Sequence, residues 1–278
     1  MSFPVRVACV QTCATPDLEQ NLSQAEALIR EAAGQGAGLV ALPEAFDFLA
    51  PTAPEMHAYA QPEESHLATL RLKSLAKELS VWILAGSVST RSGDGAVVNR
   101  SLVINPEGAI IARYDKIHLF DVDLPAGGVV RESDFYRPGE RAVVADTPWG
   151  GLGLTICYDV RFPQLHRALA EAGAGILAVP AAFSSVTGPL HWEALLRARA
   201  IETGSFVIAP AQCGLHYGER SSHGQSMIID PWGRVLAEAG DEVGVILADL
   251  DLDEVERFRA AIPSLAKGRA FALGEVAA

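Results

Sequence analysis

Gly36-Ala-Gly-Leu-Val-Ala-Leu-Pro-Glu-Ala-Phe46 and Gly173-Ala-Gly-Ile-Leu-Ala-Val-Pro-Ala-Ala-Phe183 are the two stretches whose joint reading decides the fold. In each, glycine marks a helix end, a continuous apolar run reads as a strand buried on both faces, and proline stands at the strand exit. A second echo follows in the same order. Ser101-Leu-Val-Ile-Asn-Pro-Glu-Gly108 and Ser226-Met-Ile-Ile-Asp-Pro-Trp-Gly233 each read as a strand entering a glycine-closed hairpin turn. The two echoes keep their order but not their offset, so the insertions differ between the halves.

Working outward, the first half reads as strand 5–11, helix 18–34, strand 39–43, helix 65–79, and strands 81–88, 97–104 and 110–114. The second reads as strand 152–157, helix 163–172, strand 176–180, helix 190–203, and strands 206–211, 226–230 and 234–238. The order β-α-β-α-β-β-β thus occurs twice. A strand at 243–249 and a helix at 252–261 close the chain. Helices alternating with apolar strands give an α/β class with largely parallel sheets. Two such sheets stacked face to face, with helices outside, predict a four-layer αββα sandwich. One domain is expected over 1–273, with 264–278 as a C-terminal arm. Residues 115–150 have no counterpart in the second half and no strong periodicity. A long irregular connection of that kind points to function.

Composition narrows the function classes. The chain has 278 residues, 49% of them hydrophobic, which is enough for a large core. Asp and Glu number 34 against 22 Lys and Arg, a net charge of −12 without any basic block, so a nucleic-acid partner is not expected. An anionic substrate would need local cations against that background. No apolar run approaches the ~18 residues of a bilayer span, so no membrane partner is expected. Met1-Ser-Phe-Pro-Val-Arg-Val7 lacks the plan of a signal peptide. The cysteines Cys9, Cys13, Cys157 and Cys213 are sparse and form no CxxC pair, which fits a reducing cytoplasm. The histidines at 57, 66, 118, 166, 191, 216 and 223 have no metal-ligand spacing, and no metal site is read.

Three candidates for chemistry fall just past strand exits, where open α/β sheets converge on a crevice: Glu44, Lys116 and Cys157. Cys157 lies in Gly151-Leu-Gly-Leu-Thr-Ile-Cys-Tyr-Asp-Val-Arg-Phe-Pro163, between an apolar strand and a proline-started helix. That place suits a covalent nucleophile, although most cysteines are simply small buried hydrophobes. Partial burial would raise the pKa of Glu44 and make it a general base. A helix cap or an Arg pair is the ordinary alternative. Lys116 could stabilise a thiolate and an oxyanion, with a surface pair to Asp115 as its alternative. Together they outline amide hydrolysis: Glu44 deprotonates Cys157, the sulfur attacks a carbonyl, and Lys116 with the Tyr158 backbone N–H holds the oxyanion.

Pro43-Glu44, Lys116 within Tyr-Asp-Lys-Ile-His-Leu-Phe, and Cys157 within Ile-Cys-Tyr-Asp-Val-Arg-Phe-Pro resemble the Glu-Lys-Cys motifs of the nitrilase (carbon–nitrogen hydrolase) superfamily. The resemblance covers roughly residues 4–273. It implies an αββα sandwich forming a homodimer or higher homo-oligomer, a Cys acyl-enzyme, and no cofactor. Cys157-Tyr158-Asp159 resembles the amidase branches rather than the Cys-Trp-Glu of true nitrilases. Thr187 to Glu193 is similar to omega-amidases and deaminated-glutathione amidases, and Ala211-Gln-Cys-Gly214 with His216 is closer to the latter. The resemblance implies that Glu132 orients Lys116 and the substrate amide; taken alone, Glu132 reads as a solvated loop charge.

Other positions are read from placement. Arg161 could meet a substrate carboxylate, but an ion pair with Asp159 or Glu193 is the favoured reading. Phe183, Thr187 and His191 are candidate substrate contacts. Asp159 is a structural support, Glu193 a possible buttress for Lys116, and Cys213 a residue that could border the site. The resemblance implies a small amide of a carboxylate compound as substrate, deaminated glutathione first. An omega-amide keto acid or an N-carbamoyl amino acid is the alternative within the class. A catalytically silent binding module on the same scaffold is the alternative outside it.

Overall fold

The computed structural model describes residues 4–124, 128–272 and 274. The first half runs β1 (Val5–Gln11), α1 (Leu18–Gly34), β2 (Leu39–Ala41), α2 (Ala53–Tyr59), β3 (Gln61–Pro62), α3 (Leu67–Leu79), β4 (Trp82–Leu84), β5 (Val88–Arg91), β6 (Val97–Ile104) and β7 (Ile110–Asp115). The connection carries β8 (Asp121–Leu124), β9 (Gly128–Arg131), a 3-10 turn (Glu132–Asp134) and β10 (Val143–Thr147). The second half runs β11 (Gly150–Leu154), a 3-10 turn (Cys157–Arg161), α4 (Pro163–Glu171), β12 (Ala174–Ala178), α5 (Gly188–Thr203), β13 (Phe206–Ala209), β14 (Cys213–Tyr217), β15 (Arg220–His223), β16 (Met227–Ile229) and β17 (Val235–Glu238). Then come β18 (Gly244–Leu250) and α6 (Asp253–Ala261).

The two large sheets repeat one plan. The first orders β18-β1-β2-β4-β6, with β5 and β3 continuing and β7 on the other edge of β6. The second orders β10-β11-β12-β13-β16-β17. In each, three parallel strands are flanked by antiparallel ones. The trailing strands are exchanged. β10, after the first half, pairs with β11 of the second, and β18, after the second half, pairs with β1 of the first. That exchange ties the halves together.

Strand alternation sets the layers. Val7, Cys9, Leu39, Ala41, Leu84 and Val103 join the second sheet's Leu152, Leu154 and Ile176 in one buried cluster. The intervening Ala8, Val10, Val40, Ile83 and Leu102 turn the other way, onto Leu22, Ala25 and Ile29 of α1 and Leu72 and Leu75 of α3. Helices α4 and α5 cover the outer face of the second sheet through Leu165, Leu169, Trp192 and Leu196. Each fully buried Leu or Ile contributes roughly 1.5–3 kcal/mol. The four-layer αββα sandwich is therefore present. Both hairpin turns of the second echo are also present, closed by Gly108 and Gly233 at φ +76° and +78°.

The structure corrects several boundaries. The strand expected at 81–88 is broken into β4 and β5 along one edge of β6. Gly86 makes the break at φ +40°, where a Cβ would sit 2.0 Å from the Pro43 carbonyl oxygen, so only glycine lets the β2 and β4 exits approach. The strand expected at 152–157 ends at Leu154, and Cys157 opens a 3-10 turn instead. The connection 115–150 holds β8, β9 and β10, and residues 46–62, between the strand expected at 39–43 and the helix expected at 65–79, hold α2 and β3. Residues 125–127 of the connection and 273 and 275–278 of the expected arm 264–278 lie outside the described residues. Of the arm, Leu265 accepts a hydrogen bond from Arg167 of α4 at 2.6 Å through its carbonyl.

Candidate active site

Glu44, Lys116, Glu132 and Cys157 meet in one cavity of about 790 Å³, mouth included, lined also by Asn99, Phe120, Tyr158, Arg161, Phe183 and Thr187. Lys116 Nζ donates to Glu44 Oε1 at 2.8 Å and to both Glu132 oxygens at 2.8 Å. Asn99 Nδ2 donates to Glu44 Oε1 at 3.0 Å and Glu132 Oε1 at 3.2 Å. The Ala182 N–H reaches Glu44 Oε2 at 2.9 Å and the Phe120 N–H reaches Glu132 Oε2 at 2.6 Å. Two buried carboxylates thus share one ammonium and three further donors.

Local backbone aims these groups. Cys157 adopts φ +49°, an uncommon conformation for a side-chain-bearing residue, and its N–H is held by the Pro180 carbonyl at 2.8 Å. Ala45, directly after Glu44, has φ +52° and donates its N–H to Ser87 Oγ at 3.1 Å. The turn at Cys157 is fixed from below by Asp159, which is fully buried. Asp159 accepts from the Ile156 N–H at 2.8 Å, Tyr114 OH at 2.6 Å, the His118 N–H at 3.1 Å and His118 Nδ1 at 2.7 Å. Tyr114 and His118 flank Lys116 in sequence, so one carboxylate couples the cysteine turn to the lysine strand end.

The electrostatics correct the expected pKa of Glu44. Burial pushes its carboxyl up, but the charge and hydrogen bond of Lys116 with the Ala182 N–H outweigh that and hold it below the ordinary range. Burial pushes Lys116 down, but Glu132 and Glu44 outweigh it and raise the ammonium well above its ordinary value. Burial, then the charge of Glu44, pushes the Cys157 thiol well up. Glu132 is raised by burial and by Glu44, against the pull of Lys116. The resting arrangement is a neutral thiol beside an ionised Glu44 and a charged Lys116. A preformed thiolate is not its ground state.

Other expected positions divide. Phe183 and Thr187 line the cavity. Arg161 lines it too, but forms no ion pair with Asp159 or Glu193. Its guanidinium donates to Thr187 Oγ1 at 3.3 Å and to His191 Nδ1 at 3.1 Å, and lies 5.1 Å from the Phe183 ring centroid. His191 therefore stands behind Arg161 and is not among the lining residues. Glu193 does not reach Lys116. It lies on the outer face of α5 and pairs with Arg197 at 3.0 Å, because Trp192 and Leu196 take the inward positions. Cys213 is buried in β14 and does not line the cavity. Sequence reasoning missed Asn99, Tyr217 and Arg220. Asn99 had a signal, since an amide within a mostly apolar strand needs buried partners.

The carbon-nitrogen hydrolase family model matches residues 6–260. A deaminated glutathione amidase of Bos taurus is 45% identical over 262 residues, covering 92% of this chain and 80% of its own. The structure of Saccharomyces cerevisiae Nit3, of branch 10 of the nitrilase superfamily, superposes with a TM-score of 0.85 at 32% identity, covering 95% and 96% of the two chains. A mutant amidase of Nesterenkonia sp. AN1, carrying a covalent acetamide group on its active-site cysteine, superposes with a TM-score of 0.78 at 28% identity, covering 94% and 95%. With the fold, the four convergent side chains and these likenesses together, the chain belongs to the carbon-nitrogen hydrolase family.

Proposed function

We propose that this carbon–nitrogen hydrolase is a thiol amidase acting on deaminated glutathione. The single observation that carries the catalytic reading is Lys116 bridging Glu44 and Glu132 in the cavity that also holds Cys157. Glu44, ionised at rest, takes the thiol proton as Sγ attacks the amide carbon, so proton transfer accompanies bond formation. The carbonyl electron pair moves to oxygen, which Lys116 Nζ and the Tyr158 N–H stabilise. As the C–N bond breaks, Glu44 returns the proton to the leaving nitrogen. Water then attacks the thioester, giving a proton to Glu44, and that proton passes to sulfur as the C–S bond breaks. Glu132 keeps Lys116 charged and aimed. Asp159 and Arg161 support the turn and the substrate respectively, with Phe183 and Thr187 on the wall and His191 holding Arg161.

The substrate choice is supported by the bovine relative's name and by a cavity whose free cations suit an anionic amide. Purified Cys157→Ala is expected to release no amine from deaminated glutathione, and intact-mass measurement of the native chain should catch a transient acyl adduct. Amine release by Cys157→Ala at the native rate would overturn the mechanism. Absence of any adduct with amides, nitriles or carbamoyl compounds would favour the silent module.

A cytoplasmic setting and a homo-oligomer belong to the same proposal. The four cysteines are unpaired, and the second half leaves Leu190 and Ile201 of α5, Trp232 and Leu236 of β17 exposed, with Ile201 beside the turn at Gly233. Among the described residues no helix is long and apolar enough to cross a membrane.

A further inference from the structure

The cavity is lined by two acids, Glu44 and Glu132, and three cations, Lys116, Arg161 and Arg220. Lys116 is consumed by the two carboxylates. Arg161 and Arg220 have no carboxylate partner among the described residues, and Arg220 makes no side-chain hydrogen bond there either. Arg161 is half-buried and held by Thr187 and His191, whereas Arg220 is exposed at the cavity. In a chain of net charge −12 these are the two lining cations whose charge is left over for an anion.

They stand on different walls. Arg161 closes the 3-10 turn that Cys157 opens, so it belongs to the side where the acyl group becomes attached. Arg220 begins β15, opposite Tyr217 of β14. This hairpin is anchored on both flanks. Tyr217 OH donates to the Ala50 carbonyl at 3.0 Å, and Tyr217 packs on Ala45 and Leu49, in the segment that leaves Glu44. Ser221 Oγ meets Ser185 Oγ at 2.8 Å, and Ser222 Oγ meets His216 Nε2 at 2.8 Å. In the proposed mechanism Glu44 reprotonates the leaving nitrogen, and the segment that follows it, Ala45 to Ala50, is one on which the Arg220 hairpin rests. That is the side on which we set the departing half of the substrate.

We propose that Arg220 binds a carboxylate on the amine half of the substrate, making the site selective for amides that carry one carboxylate on each side of the scissile bond. This rests on the thiol-amidase reading and deepens it. Deaminated glutathione has that charge pattern: an oxo-acid carboxylate on the acyl half and the glycine carboxylate on the leaving cysteinylglycine. A primary omega-amide, which releases ammonia, has no group for Arg220.

The test compares kcat/KM for deaminated glutathione and for the same compound with its glycine carboxylate capped as a carboxamide, in the native chain, Arg220→Ala, Arg220→Gln and Arg220→Glu. The native chain is expected to favour the free acid by about tenfold to a hundredfold, as befits one charge-assisted contact. The ratio should fall to within about threefold in Arg220→Ala and Arg220→Gln, and should invert in Arg220→Glu. A structural role for Arg220 would lower both rates together and keep the ratio, which overturns the proposal, as does a native chain indifferent to the cap. Native failure to cleave either compound instead overturns the substrate reading itself, and the subsite with it. Two variants at the same charge loss guard against one that does not fold.

Discussion

At the exit of β2, Pro43 is followed by Glu44; at the matching exit of β12, Pro180 is followed by Ala181. The two exits converge on one point, for the Ala182 N–H touches Glu44 itself at 2.9 Å. Ala181 is fully buried in the apolar cluster between the sheets, where a second acid would lose its hydration without compensation. The same asymmetry separates the first strands. Val7 pairs with Leu39 and Leu152 with Ile176, so the place of Cys157 in the second half is held in the first by Thr12. Thr12 spends its hydroxyl on Gln212 Oε1 at 3.0 Å, and Gln212 also receives the Ala14 N–H at 2.9 Å. A duplicated frame builds the cleft, and the proposed chemistry depends on the two copies differing at each exit.

The hardest test of that comparison is Glu44→Gln. Volume is kept but the proposed base is gone, and a carboxamide can accept at only one of the two positions filled by Lys116 with Asn99 and by the Ala182 N–H. A fall in kcat of roughly 10²–10⁴-fold is expected, together with a lower melting temperature because the buried pair with Lys116 is broken. A rate near native would mean that the two β exits do not differ in chemistry.

The next effect is one of stability. The second half buries His166 and His216, and burial holds both imidazoles down at about 4. In the unfolded chain they titrate near 6.5. Between those values the unfolded state takes up protons that the folded state refuses, so stability falls as pH falls through this window. At pH 5 the loss is on the order of 2 kcal/mol per histidine. Urea unfolding at pH 7 and pH 5 checks it, and His216→Gln should flatten the dependence. The smallest effect is at Thr12, the counterpart of Cys157. Thr12→Val is expected to cost about 1 kcal/mol in urea unfolding, because Gln212 Oε1 keeps its second donor, and to leave turnover at the native rate.

The missed elements share a cause. Helix α2 spans only Ala53–Tyr59, too short for periodicity, although Thr52 and Glu55 form a local cap at 2.6 Å that a search for Thr-x-x-Glu would have found. Strands β8, β9, β14 and β15 are four or five residues long and exist because a partner lies alongside. Glu193 was misplaced because its helix, α5, has almost no one-sided apolar pattern, so its sequence does not say which side faces in.

By itself the chain determined the doubled β-α order, the layered α/β class and the three exits bearing Glu44, Lys116 and Cys157, because those features are written in apolar runs and turn residues that act locally. The tertiary structure alone decided that Asn99 and Glu132 join Lys116, that Arg161 stays unpaired while Glu193 faces away, and that Glu44 is held ionised. Those outcomes depend on which distant side chains share a desolvated space, and in such a space the nearest charge, rather than the residue's own sequence neighbours, sets protonation and partner.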